Sequence, residues 1–206
     1  MDKALKSFFK DTKPNKIYTY KEFLELSETN ISNTNIDALT DKEKIYFDYS
    51  KINLQRTKRI EKTFKPNQDI VDLVNKIDRK ILFFVITEDW CGDSAQNLPY
   101  IEKYLNFNPL LEMKVILRDS NLEAIDNYFK EGNPRSIPKI VGFNENGKEL
   151  FIWGPRPKFA QDLVQQLKAE GYTKEEFNKE LHLWYAKNKG KELEKELVNI
   201  FRNLIK

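Results

Sequence analysis

Cys91 is the only cysteine in 206 residues and so the only thiol available for covalent chemistry. It follows an unbroken apolar run, Ile81 to Ile86, and an acidic turn, and it stands where the next helix should begin. The thiolate is the reactive form of cysteine. Backbone N–H groups and the helix dipole at such a junction can lower a thiol pKa from ~8.5 to ~3.5–7.5. Glu88, Asp89 and Asp93 act the other way, because nearby carboxylates disfavour a further negative charge. The residues alone leave that contest open. A buried, inert thiol is the plain reading of a lone cysteine, but a polar turn beside Gly92 favours a reagent. His182 is the only histidine and falls in a C-terminal helical segment, where a helix-surface role is expected. With no second histidine or spare cysteine, no usual zinc site is expected, and no metal or cofactor.

The elements that must position Cys91 follow from hydrophobic period and capping signals. An apolar run rich in aromatic and β-branched residues reads as a strand buried on both faces. Before it, Thr19 with Glu22 and Thr40 with Glu43 form capping boxes for two helices, the second running to about Thr63. In that second helix Ile45, Tyr49 and Ile52 fall at helical spacing, and Asn53, Arg56 and Arg59 recur near one face. A short helix carries Ile70, Val71, Val74 and Ile77. After the central strand come a helix over about Asp93 to Leu105 and a strand over Met113 to Leu117. A helix capped by Ser120 and Glu123 then ends near Gly132. Lys139 to Phe143 and Glu149 to Trp153 form a hairpin around Asn144-Glu145-Asn146-Gly147. A helix from about Lys158 to Glu170 is stopped by Gly171. This α-β-α-β-α-β-β-α order predicts an α/β mixed sheet of about four strands with helices on both faces. Two more helices follow. One is capped by Thr173 and Glu176, and the last presents Leu193, Leu197, Val198, Phe201 and Leu204. Their apolar stripes are expected to pack onto the core.

Composition narrows the class. Hydrophobic content of 40% with 33% charged residues is that of a globular protein. A net charge of +3, from 35 basic and 32 acidic residues, is too balanced for a nucleic-acid partner. The N-terminus lacks the apolar stretch of a signal peptide, and no segment approaches the ~20 apolar residues of a membrane helix. With one cysteine and no internal disulfide, the expected location is the cytoplasm.

Trp90-Cys91-Gly92-Asp93-Ser94, following a buried strand, resembles the W-C-G-P-C site of thioredoxins. Arg135-Ser136-Ile137-Pro138 resembles the thioredoxin loop ending in a cis-proline that faces the reactive cysteine, and Lys139 to Gly154 its closing hairpin. The resemblance covers about Asn67 to Gly171. It implies a thioredoxin-like domain over 67–171, with helical extensions over 1–66 and 172–206. A bacterial group of thioredoxin-like proteins with W-C-G-D followed by Ala, Ser or Cys is a closer match. Its members share the preceding helix, here Asn53, Arg56 and Arg59, with R-S-I-P-K (Arg135 to Lys139) and W-G-P-R-P (Trp153 to Pro157). By that resemblance, Trp90, Gly92, Asp93, Ile137, Pro138, Gly154 and Arg156 line a substrate groove around Cys91. Pro155 and Pro157 restrict the backbone around Arg156, which could offset the carboxylates or hold an anionic group of a substrate.

Two departures bear on mechanism. Ser94 stands where thioredoxins carry the resolving cysteine, and serine cannot release a mixed disulfide. Its hydroxyl can still hydrogen-bond the sulfur. Val85 stands where thioredoxins keep a buried acid. An engineered Cys-to-Ser trap is the minor explanation for Ser94, since the group includes serine and alanine members. A peroxiredoxin reading lacks threonine three residues before the cysteine, where Glu88 stands. A monothiol glutaredoxin reading lacks C-G-F-S and a glutathione-carboxylate motif. Two functions remain. One is monothiol thiol–disulfide exchange in redox homeostasis, with Cys91 and Ser94 catalytic and the partner a disulfide- or mixed-disulfide-bearing protein or a small thiol. The other is a redox-inactive binding module that uses the cis-proline groove for a protein partner. The oligomeric state is not legible.

Overall fold

Strand β2 (Ile81–Thr87) is buried along its whole length and organises the fold. It pairs in parallel with β3 (Leu111–Leu117) and antiparallel with β4 (Lys139–Asn144), which pairs with β5 (Glu149–Trp153). The structure, a computed structural model, describes residues 3–10, 12, 15–129 and 135–205. A fifth strand, β1 (Ile17–Thr19), adds antiparallel to the free side of β3, giving the order β1-β3-β2-β4-β5. The expectation of about four strands therefore falls short by one. A three-residue strand is too short to show alternation, so only its pairing with Val115 and its neighbours reveals it.

Because successive side chains point to opposite faces of a strand, β2 seeds two cores. Ile81, Phe83 and Val85 face one side. There they meet helices α2 (Tyr20–Asn33), α4 (Gln68–Val74), α5 (Gly92–Leu105) and α9 (Lys191–Leu204) through Phe23, Val74, Leu98, Tyr104 and Phe201. Leu82, Phe84 and Ile86 face the other side. This second layer is closed by α1 (Lys3–Phe9), whose Phe8 ring lies 4.9 Å from Phe84 and 4.7 Å from Tyr128. Nothing in the sequence pattern predicts α1. Its aromatic pair nevertheless fills the space that a continuous apolar strand requires to be covered.

The capping boxes at Thr19–Glu22, Thr40–Glu43 and Thr173–Glu176 all form. They start α2, α3 (Asp41–Thr63) and α8 (Lys174–Asn188). The expected helix after Ser120 does not form as a unit. Asn121 begins a single turn, α6 (Leu122–Ile125), which tightens into a 3-10 turn over Asp126–Tyr128. Ser120 and Glu123 make no cap there, and the expected end near Gly132 lies outside the described residues. Helix α7 (Lys158–Ala169) follows the hairpin and packs with α8 through a small separate cluster of Ala160, Val164, Leu181 and Tyr185.

Helix α3 packs the reverse of what its apolar stripe suggests. Its inward face is Ser50, Asn53, Thr57 and Ile60, whereas Ile45, Tyr49 and Ile52 remain 54%, 40% and 45% exposed. The polar groups turn inward because the loop before α5 offers them partners: Ser50 donates to Asp89 Oδ1 at 2.9 Å, and Asn53 Nδ2 to the Asp89 carbonyl at 3.3 Å.

Candidate functional site

Cys91 is the N-cap residue of α5, at the C-terminal end of β2, with its own N–H bonded to the Glu88 carbonyl. It is only 7% exposed, and its thiol donates to the carbonyl oxygen of Ile137 at 3.2 Å. The Ile137–Pro138 bond is cis, as the resemblance implied, and so is Gly154–Pro155. Cys91, Ile137 and the cis-proline loop are thus brought together.

The end of the hairpin closes on the same loop. A Cβ on Gly154 would lie 2.2 Å from the Pro138 carbonyl oxygen, and φ is +116°. Only glycine allows both that approach and that backbone conformation. Arg156 then reaches the first turn of α5. Its Nη2 and Nε donate to Asp93 Oδ2 at 2.5 and 3.1 Å, with side-chain exposures of 16% and 9% for the pair. Arg156 thus sets a positive charge directly against the Asp93 carboxylate.

Several partners had no motif to announce them. Tyr185, on α8, donates to Asp93 Oδ1 at 2.6 Å, and Asn97 Nδ2 donates to the Tyr185 hydroxyl at 3.0 Å and to the Asp93 carbonyl at 2.7 Å. Both Asp93 oxygens are therefore engaged, as a buried carboxylate requires. His182 is not a surface side chain. It packs against Gly92, where a Cβ would come within 2.8 Å of its ring. Its Nε2 lies 3.2 Å from Arg56 Nη1 and its Nδ1 3.4 Å from Gln96 Nε2. Burial and the Arg56 and Arg156 charges push its pKa down to about 3, so the ring is neutral. The one sequence signal for this contact was the glycine itself.

Trp90 sits between the Tyr46 ring, at 5.0 Å, and the Arg118 guanidinium, at 4.9 Å. Arg118 Nη1 donates to the Arg135 carbonyl, and Arg135 forms a forked pair with Asp126. Ser94 Oγ shares a 2.5 Å hydrogen bond with Thr87 Oγ1 at the end of β2. Val85 is fully buried and apolar. A buried acid is present all the same, three residues on: Glu88, 9% exposed, accepts the Asp119 N–H at 2.7 Å. Burial raises its pKa to about 7.

The electrostatic contest around Cys91 resolves against the thiolate. Burial pushes the thiol up to about 12, and the Asp93 charge adds to this. Hydrogen bonds from Ser94 and from the Asp93 and Ser94 amides pull it down, but by less. The low exposure explains the outcome: a helix N-terminus stabilises a thiolate within about one turn, yet taking that charge out of water costs more. A cavity of about 20 Å³, room for one water, lies between α2, α3 and the cysteine turn and is lined by Ser50, Asn53, Cys91 and Ser94.

The sequence model of a family described as Thioredoxin matches residues 39–168. The chain belongs to the thioredoxin family. The match takes in α3 and the whole site up to Arg156, but not α8, which supplies His182 and Tyr185. Among solved structures, the chain is similar to a protein of unknown function from Pseudomonas aeruginosa, at 15% identity and a TM-score of 0.53. It is also similar to an HIV epitope-scaffold, at 16% identity and a TM-score of 0.50. Each comparison covers 90% of this chain and 98% of the other, and at such identities it shows the fold alone. No curated protein matches. For a thioredoxin-family chain, this one keeps the cysteine, the cis-proline and the hairpin contact. Ser94 stands three residues after that cysteine, and Val85 within β2 is apolar. No group of histidine, cysteine and acidic residues able to hold a metal occurs among the described residues, and none of the described helices is long and apolar enough to cross a membrane.

Proposed function

We propose that this thioredoxin-family protein carries out single-cysteine thiol–disulfide exchange from a covered resting state. The observation behind this reading is the placement of the Cys91 sulfur, 3.2 Å from the Ile137 carbonyl of the cis-proline loop. In exchange, Cys91 attacks one sulfur of a disulfide R–S–S–R′. A Cys91–S–S–R bond forms, and the departing R′S⁻ takes up the proton that Cys91 gave up. Ser94 cannot attack that mixed disulfide, so an external thiol R″SH does, returning Cys91 as the thiol and releasing R–S–S–R″. The substrate is a disulfide- or mixed-disulfide-bearing protein or small thiol in the cytoplasm. Burial is the largest reason Cys91 is protonated. Displacing the contacts of α3 on Asp89 and of α8 on Gly92 and Asp93 would restore water to the turn and lower the barrier to ionisation.

The raised pKa of Cys91 favours a second reading, a redox-inactive module that uses the same groove for a protein partner. Alkylation of Cys91 across pH, followed by intact-mass spectrometry, together with incubation in glutathione disulfide, separates the two. Exchange predicts a glutathione adduct that reduced glutathione reverses, formed faster when Tyr185→Phe loosens α8. A thiol that forms no adduct while the fold is intact, in either protein, removes exchange and leaves the binding module.

A further inference from the structure

Arg56 and Arg59 stand one turn apart on α3, and neither forms an ion pair among the described residues. Like charges at this spacing repel each other. Burial and the Arg59 charge draw the Arg56 pKa below its usual value. Arg56 directs Nη1 to Asn53 Oδ1 at 2.9 Å and to His182 Nε2 at 3.2 Å, while its Nη2 and Nε bond to no described residue. His182 is neutral and so supplies no counter-charge.

A second polar group faces the same charges. Tyr100 of α5 is 7% exposed, with its ring 4.6 Å from that of Phe64 and close enough to Gly190 that a Cβ there would meet it at 2.8 Å. Its hydroxyl nevertheless bonds to no described residue, and the Arg59 charge acts on it. Glu194 acts on it as well, but that carboxylate accepts the Tyr104 hydroxyl and pairs with neither arginine. Helices α3 and α5 lie side by side. Arg56 Nη1 comes 3.8 Å from where a Gly92 Cβ would stand, and Phe64 meets Tyr100, so Arg59 falls between these two contacts. Both guanidiniums and the Tyr100 hydroxyl therefore border one seam, where α3 and α5 meet the helices α8 and α9.

We propose that this seam binds a dianionic phosphate group, held by Arg56 and Arg59 with the Tyr100 hydroxyl as a further donor. Two guanidiniums without a carboxylate match a dianion in charge, and the planar fork of arginine matches phosphate oxygens in geometry. The group is free phosphate or the phosphoryl end of a small molecule, which share this chemistry. Binding does not require Cys91 to react, although the seam adjoins Gly92, the next residue in the chain.

Two-dimensional NMR of the isotope-labelled full chain tests this. The protein is titrated at matched ionic strength with inorganic phosphate, with the phosphomonoester O-phosphoserine, and with acetate. The expected result is a saturable shift of the Gly92 amide and the Arg56 Nε–H, with at least one phosphate bound about tenfold or more tighter than acetate. The tighter of the two phosphates tells free from esterified ligand. Arg59→Gln and Tyr100→Phe should each weaken binding about tenfold, the loss of a hydrogen bond to a charged group. Neither side-chain polar group has a hydrogen-bond partner among the described residues, so neither change should lower the melting temperature. No saturable shift with either phosphate, acetate bound equally well, or affinity unchanged in both variants would overturn the proposal.

Discussion

Arg156→Ala tests how the site is held. Arg156 and Asp93 form a mostly buried ion pair, 16% and 9% exposed, through two hydrogen bonds to one carboxylate oxygen. Burial by itself would lower the guanidinium's pKa, but the Asp93 charge overrides this and holds it above its usual value. Removing one partner of such a pair strands the other, at a cost of about 3–5 kcal/mol. Tyr185 still donates to the second oxygen, which puts the expected loss at the lower end, about 3 kcal/mol. The stranded charge also acts on Cys91, whose pKa Asp93 already raises, so alkylation should slow further. Urea unfolding gives the first quantity and intact-mass alkylation the second. The double variant Arg156→Ala with Asp93→Asn should recover more than half of the stability loss, because a neutral amide needs no counter-charge. A loss below about 1 kcal/mol, the level of an exposed pair, would refute the claim that this pair is buried in effect. So would a double variant no more stable than Arg156→Ala alone.

Tyr185→Phe removes a 2.6 Å hydrogen bond to a buried carboxylate and should cost about 1.5–3 kcal/mol in urea unfolding. Gly154→Ala places a Cβ 2.2 Å from the Pro138 carbonyl at φ +116°. The backbone conformation alone costs about 1–3 kcal/mol, and the clash adds to it, so a melting temperature equal to that of the parent would contradict the close approach. Glu88 has a folded pKa of about 7 against an ordinary 4.5, so its contribution is fully present below about 4.5 and fades as pH rises through about 7. Glu88→Gln keeps the acceptor for Asp119 and should flatten that decline, by up to about 3 kcal/mol between the two limits. Unfolding free energies for the two proteins that run parallel from pH 5 to 8 would count against a buried, proton-binding Glu88.

The strands and helices around the site were legible because their signals are local. An apolar run reads as a buried strand wherever it occurs, and a threonine three residues before a glutamate caps a helix through atoms of its own turn. Cys91, the proline loop and the hairpin were likewise visible as an ordered set of short motifs, and the thioredoxin family follows from them. Misreadings arose where a signal was short or answered to distant residues. β1 is only as long as its pairing with β3 makes it, and the helix after Ser120 gave way to tighter turns.

The sequence by itself determined that one thiol stands at a strand–helix junction with no second cysteine to resolve what it binds. Only the tertiary structure decided the state of that thiol. Cys91 is buried with Ile86 and Ile137 and lies beside Ser50 and Asn53 of α3, while Asp93 is held by Arg156 and by Tyr185 of α8, all but Ile86 far from the cysteine in sequence. Local pattern left the contest open, with the helix N-terminus favouring a thiolate and Glu88, Asp89 and Asp93 opposing it. The dry surroundings that those segments create favour the neutral thiol, because desolvation of a charge depends on everything packed near it and not on its neighbours along the chain.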